Sequence, residues 1–232
     1  MDKIFKYSEY NGEIIITGLK ESVSDTSIVI PETINGMPVT AIGAKAFEST
    51  SITGIKIGEN IKVLGKQAFS ECKNLKSAIW NCKCNAIPDY CFYRCTKLKH
   101  FDFSAIKKVG QYAFRESGLQ EVCLPKNIEI LECGTFSRCN GLRSVTWNCK
   151  CNVIPVDCFA RCSDLTQFDF SNIKRIDRAA FYESGLKEVC LPENIECIIE
   201  GAFSRCKTLS SVKWNCKCDV IPVFCFLRCS NL

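Results

Sequence analysis

Histidine is almost missing from this chain: His100 is the only one in 232 residues. A Cys/His nucleophile pair could therefore be built only around this one residue. No phosphate-cradling glycine loop, HExxH or GxSxG occurs either. No apolar stretch approaches the roughly 18 residues a membrane span needs. The opening residues Met1-Asp2-Lys3-Ile4-Phe5-Lys6 lack the apolar segment of a signal peptide, which predicts a removed leader or another route. Charges form no long run, and a net charge of +5 is only a slight pointer to acidic partners. No nucleic-acid partner is expected.

What is abundant is repetition. Phenylalanine recurs every 22 or 23 residues, at Phe47, Phe69, Phe92, Phe114, Phe136, Phe159, Phe181, Phe203 and Phe226. A fixed period of this length marks a solenoid, whose units cannot bury their apolar faces alone and must stack. Five or six residues after each Phe stands a Leu or Ile that begins the pattern L-x-x-V-x-L, as in Leu119-Gln-Glu-Val122-Cys-Leu124. Apolar alternation with period two predicts a strand with Val122 and Leu124 inward and Cys123 outward. The same pattern predicts inward pairs at Ile55/Ile57, Ala78/Trp80, Phe101/Phe103, Phe168/Phe170, Val189/Leu191 and Val212/Trp214. A-F-x-x-C around each Phe predicts a short helix or 3₁₀ turn against the sheet.

A longer beat overlies the first. Units of 23, 21 and 23 residues make a 67-residue triplet: 75–141 matches 142–208, and 209–232 begins a third copy. Tandem duplication or deliberate design accounts for the near identity of WNCKCNAIP, WNCKCNVIP and WNCKCDVIP. Residues 1–27 lie outside the repeat and read as an N-terminal β-hairpin cap turning at Asn11-Gly12; residues 28–232 form about nine repeats. Leu232 falls at the start of a further unit, so the solenoid is expected to continue beyond it.

The run IKIGENIKVLGKQAFSECKNL (55–75), preceded by IVIPETINGMPVTAIGAKAF, resembles the BspA-like, Treponema-type leucine-rich repeats across essentially the whole chain. The resemblance implies a right-handed superhelical α/β solenoid with a concave parallel sheet and short helices or 3₁₀ turns on the convex side. It also implies adhesion or protein binding at a cell surface, although reduced cysteines and the missing leader leave an intracellular location open.

Nineteen cysteines could suggest metal or redox chemistry, above all C-x-C-x6-C-x3-C at Cys82, Cys84, Cys91 and Cys95, repeated 67 and 134 residues later. The repeat register argues otherwise. Cys84, Cys91 and Cys95 occupy core slots, and only Cys82, aligned with Lys126, occupies a surface slot. The thiols therefore read as reduced core filling, with no metal and no cofactor. Disulfides are limited to neighbouring rungs such as Cys72–Cys95 or Cys139–Cys162, because copies 67 residues apart lie on the order of 14 Å from each other. His100 beside Asp102 reads as a solvated surface pair, since Gln167 and Asp169 replace it one triplet later.

What remains is the outward sheet face. Its candidate binding residues are Lys56, Ile79, His100, Asp102, Glu121, Cys123, Thr146, Gln167, Asp169, Glu188, Cys190 and Lys213. The function expected is non-catalytic recognition of a protein or a surface glycan. The alternatives are the sensing domain of a larger receptor or effector and, a distant third, a thiol-based metal or redox protein.

Overall fold

The structure, a computed structural model, describes residues 4–20 and 26–232. Two strands open it, β1 (Phe5–Tyr10) and β2 (Glu13–Leu19), antiparallel around Asn11-Gly12. Both turn residues have positive φ, 50° and 74°, the geometry that Asn-Gly supplies for a two-residue hairpin. The hairpin does not stand apart: β2 pairs in parallel with Met37–Ile42, extending the first rung. A second small turn at Asn35-Gly36 joins Thr33–Ile34 to the same strand. Residues 1–3 and 21–25, which the proposed cap segment includes, lie outside the described residues.

From there each rung follows the repeat. The long strands bury alternate residues, as in Glu121–Leu124, where Val122 and Leu124 are buried and Glu121 and Cys123 exposed. Inside, the nine repeat phenylalanines form one continuous stack. Ring centroids of successive members are 5.2–5.9 Å apart, with interplanar angles of 7–22°. That is offset-stacking distance, worth about 0.5–1.5 kcal/mol per pair beyond area burial.

The helices expected around each Phe are absent: no helix occurs among the described residues. Two residues per rung, at two before and two after the Phe, sit at positive φ, for example Gln67 and Glu71 (60° and 59°) or Tyr112 and Glu116 (52° and 58°). A left-handed residue every fourth position prevents a right-handed helix from propagating. Instead the N–H groups alternate in destination. Phe47 N–H donates to Ala68 O on the next rung, while its neighbour Glu48 donates locally to Lys45 O. Linked tight turns thus replace a helix and bond rung to rung at all eight junctions, as at Gly134→Val156, Phe136→Cys158 and Arg138→Ala160.

The other two ladders are discontinuous and complementary. The long-strand ladder joins Ser27–Val29, Gly54–Ile57 and Ser77–Trp80, then Glu121–Leu124 to Ser144–Trp147, then Glu188–Leu191 to Ser211–Trp214. It breaks at the expected strands around Phe101/Phe103 and Phe168/Phe170, which form no strand at all. Two-residue strands supply the missing junctions: Ala86–Ile87, Lys108–Val109 and Ile130–Leu131, and equivalently Val153–Ile154, Arg175–Ile176 and Cys197–Ile198. The cause is steric. Phe101 and Phe103 both turn into the core, meeting at 5.0 Å and packing on Phe92, Phe114 and Phe136. Two large rings in the shortened 21-residue unit leave no room for the strand to close on its neighbours.

Candidate functional site

All twelve sequence-derived binding residues lie exposed on the long-strand face. Parallel pairing fixes their neighbours: Lys56 beside Ile79, Glu121 and Cys123 beside Ser144 and Thr146, Glu188 and Cys190 beside Ser211 and Lys213. Ile79 is half exposed, as is Val29 on the other side of Lys56 in the same column. His100, Asp102, Gln167 and Asp169 fall on the two segments that leave the ladder.

Asp102 is not free to act as a partner for His100. Its Oδ1 accepts the Ser104 N–H at 2.8 Å and its Oδ2 the Ser104 hydroxyl at 3.0 Å. Asp169 takes the Ser171 N–H at 2.9 Å in the same way. Each aspartate turns the chain where the ladder fails, as Asp side chains do through local bonds to backbone. Asn127 and Asn194 complete the repair, each donating twice to the carbonyls of the preceding rung. Two shallow grooves result on either side of Phe168. One, of about 280 Å³, is lined by Ser144, Val145, Gln167 and Asp169, and the other, of about 270 Å³, by Asp169, Ser171, Cys190 and Asn215. Nothing in the alternation pattern of the sequence marks these grooves, because F-D-F reads as an ordinary strand.

The cysteines are all unpaired, and most have an identifiable packing role. In the line three residues after each Phe, the thiol donates to the Phe carbonyl one rung back: Cys72 to Phe47 at 2.9 Å, Cys95 to Phe69 at 3.1 Å, Cys139 to Phe114 at 3.1 Å. Cys162, Cys206 and Cys229 repeat the contact. Burial pushes Cys72 up to about 11 and Cys139 up to about 12, which disables them as nucleophiles or ligands. Cys91 and Cys158 are likewise raised by burial.

One expectation needs correcting. Cys82 is buried, as is Cys149, although their repeat slot holds Lys126 in the third unit. The cause is Trp80, whose indole N–H donates to Cys84 O at 2.9 Å and folds W-N-C-K-C back on itself. Trp147 and Trp214 do the same to Cys151 and Cys218. Within that loop Cys82 and Cys84 hydrogen-bond one another, leaving Cys82 lowered and Cys84 raised. No group of three or more His, Cys, Asp or Glu is arranged to hold a metal ion among the described residues. Among them, too, no helix is long and apolar enough to cross a membrane.

A second feature, on the turn face, escaped the sequence reading. Two residues after each Phe from Phe69 onward stands a column reading Glu71, Arg94, Glu116, Arg138, Arg161, Glu183, Arg205, Arg228. Arg94 Nε meets Glu116 Oε2 at 2.8 Å, and Arg138 lies 3.6 Å from Oε1 of the same carboxylate. Arg161 and Arg205 share Glu183 similarly, at 2.9 and 3.3 Å. Burial alone would raise Glu116, yet the Arg94 bond and the charges of Arg138 and Arg115 hold its carboxyl below the usual range. The column lies in the same Phe register as the core slots, but the apolar alternation carries no mark of it.

Stacked rungs, a buried aromatic column and an exposed strand face define a repeat-built scaffold of the leucine-rich-repeat class. The family model for the BspA type leucine rich repeat region matches in six copies, over residues 20–143 and 107–232. The chain therefore belongs to the BspA-type leucine-rich repeat family. Its structure is similar to a leucine-rich repeat protein from Bacteroides ovatus (TM-score 0.80, 21% identity, 99% of this chain and 68% of that one). It is also similar to the leucine-rich repeat protein of T. pallidum (TM-score 0.68, 23% identity, 89% and 88%). A leucine rich cell surface protein from Faecalibacterium prausnitzii resembles it too (TM-score 0.62, 18% identity, 100% and 80%). No protein of curated function matches the chain.

Proposed function

We propose that this chain is a non-catalytic recognition module that binds a protein or surface-glycan ligand through its long-strand face, in an adhesive role. The observation that carries this reading is the fixed row of exposed, chemically mixed side chains on that face, including Ile79, Glu121, Cys123, Thr146, Glu188, Cys190 and Lys213. The backbone ladder holds these groups in register, so little ordering entropy is lost on binding. Concave solenoid faces typically serve this way. The cell-surface relative in F. prausnitzii agrees with an adhesive role.

Charge reversal at Glu121 and Glu188 tests the site without disturbing the fold, since neither carboxylate holds a turn of the ladder; Asp102 and Asp169 are poorer choices because they cap Ser104 and Ser171. Wild type, Glu121→Lys/Glu188→Lys and the turn-face variant Lys45→Glu are used as bait on the same extract. The expected result is a partner retained by wild type and by Lys45→Glu and lost by the double variant. A partner held equally by all three would move the site off this face.

A further inference from the structure

The turn-face column alternates in sign at every junction from Glu71 to Arg138, and again from Arg161 to Arg205. The alternation fails where Arg138 meets Arg161 and, 67 residues on, where Arg205 meets Arg228. At both places two arginines occupy successive rungs. Arg138 N–H bonds to Ala160 O at 2.7 Å and Arg205 N–H to Leu227 O at 2.7 Å, so each pair is held one rung spacing apart, about 4.8 Å. Each Arg of the first pair spends its guanidinium on the far side, Arg138 toward Glu116 and Arg161 toward Glu183. Among the described residues no acid pairs with both. Asp157, the acid on Arg161's own rung, is half-buried and feels the charges of Arg178, Arg115 and Arg161, but forms no ion pair with Arg138 or Arg161. The side chains stay well exposed, at 38% and 40%.

We infer that the Arg138–Arg161 and Arg205–Arg228 junctions are two equivalent carboxylate slots, which together hold an acidic segment of a protein partner on the turn face. The column itself shows how a carboxylate would sit. Glu116 gives Oε2 to the arginine before it and Oε1 to the one after, and Glu183 divides its oxygens the same way between Arg161 and Arg205. A planar two-oxygen group entering from solvent between Arg138 and Arg161 would continue that pattern. The fork of each guanidinium suits it better than a point charge would. The slots lie three rungs apart, about 14 Å. An extended peptide rises about 3.4 Å per residue, so carboxylates four residues apart span about the same distance. This surface is separate from the long-strand face and does not rest on that assignment.

The probe is a fluorescein-labelled Ser/Gly peptide carrying Glu at positions i and i+4, compared with isomers spaced i,i+2 and i,i+6. Polarisation titrations use the intact chain at low and at physiological salt. The expected result is saturable, salt-weakened binding that favours the i,i+4 spacing, with about a tenfold loss in Arg138→Gln and in Arg228→Gln. Circular dichroism and the melting curve check that both variants keep the fold. No saturable binding up to millimolar peptide, equal affinity for all three spacings, or unchanged affinity in both variants would each overturn the inference. So would a sulfated oligosaccharide that binds the same arginines more tightly than the peptide, which would assign the slots to sulfate.

Discussion

Thiol reactivity offers the most direct check on the register. The buried thiols should resist maleimide at pH 8 for two separable reasons. Cys139, pushed up to about 12 by burial, is ionised in only about one molecule in 10⁴ at that pH, whereas an ordinary thiol near 8.5 is roughly a quarter ionised. Ionisation alone therefore slows it by roughly three decades. The greater nucleophilicity of a more basic thiolate returns about half of that, leaving a factor on the order of 10² before access is considered. Cys139 is also fully buried, so labelling additionally needs local opening of the rung. By contrast, Cys123 and Cys190 stand exposed on the long-strand face. Cys229, lowered to about 7 by its bond with Cys206, should label well even at neutral pH. Isotope-coded maleimide pulses followed by peptide mass spectrometry resolve every site. The expected order is Cys123, Cys190 and Cys229 early, with Cys72, Cys91, Cys139 and Cys158 last by at least 10²-fold. Labelling of Cys139 or Cys158 at the rate of Cys123 would refute the inside–outside assignment. Fewer than nineteen thiols after denaturation would reveal disulfides, located by the peptides that fail to label.

Three further outcomes follow from the packing. Cys72, Cys139 and Cys225 have folded-state values raised from 9.0 to about 11, 12 and 12, so the native state keeps their protons longer than the unfolded chain does. The stability they contribute is complete below pH 9 and is lost as pH rises toward 12, so melting temperatures should fall as pH is taken from 9 toward 12. Phe136→Ala, which removes stacking on Phe114 and Phe159 and an edge contact with Phe103, should cost about 3–5 kcal/mol in urea unfolding. Phe136→Leu should cost less, and a loss below about 1 kcal/mol for the alanine variant would show the stack to be incidental. Gly134 and Gly201 share a left-handed φ of 60° and 64°, but a Cβ on Gly134 would run into the Tyr112 ring, while on Gly201 nothing comes closer than 3.9 Å. Gly134→Ala should therefore destabilise more than Gly201→Ala, whose cost is the backbone term of about 1–2 kcal/mol. Tyr112→Ala should erase the difference.

The strand face was readable because side-chain alternation is a local property, and burial at Val122, Leu124, Ile55 and Ile57 follows it directly. The turns were not, because the sequence around the Phe contains good helix formers such as Gln67, Glu71 and Arg94 in left-handed geometry. Only the demand of each alternate N–H for a carbonyl on the next rung selects that geometry, and such a demand exists in the stack and not in the unit. The same holds for F-D-F: alternation places Phe103 inward correctly, but the strand is lost because rings from neighbouring rungs compete for the same layer. Cys82 shows a third kind of failure, where alignment with Lys126 gave a surface address that the Trp80 bond overrides.

The 67-residue beat also separates the two faces. On the long-strand face Ser77 and Ser144, Asp102 and Asp169, Glu121 and Glu188, and Cys123 and Cys190 recur in equivalent places, while Ile79 becomes Thr146 and then Lys213, and His100 becomes Gln167. On the turn face Tyr90, Tyr93 and Tyr112 become Asp157, Ala160 and Ala179, although the backbone bonds there are the same in both triplets. The turn-face tyrosines are therefore not required by the ladder that carries them. Yet the column of Arg138 and Arg205 is kept through that variation, at positions whose left-handed φ of 58° and 59° would suit glycine better. Arginine there costs backbone strain and gains, within the chain, only half-exposed ion pairs worth little on their own. A group outside the chain that engages the same guanidinium would supply the remaining gain, which is why the variants at Arg138 and Arg228 test more than local stability.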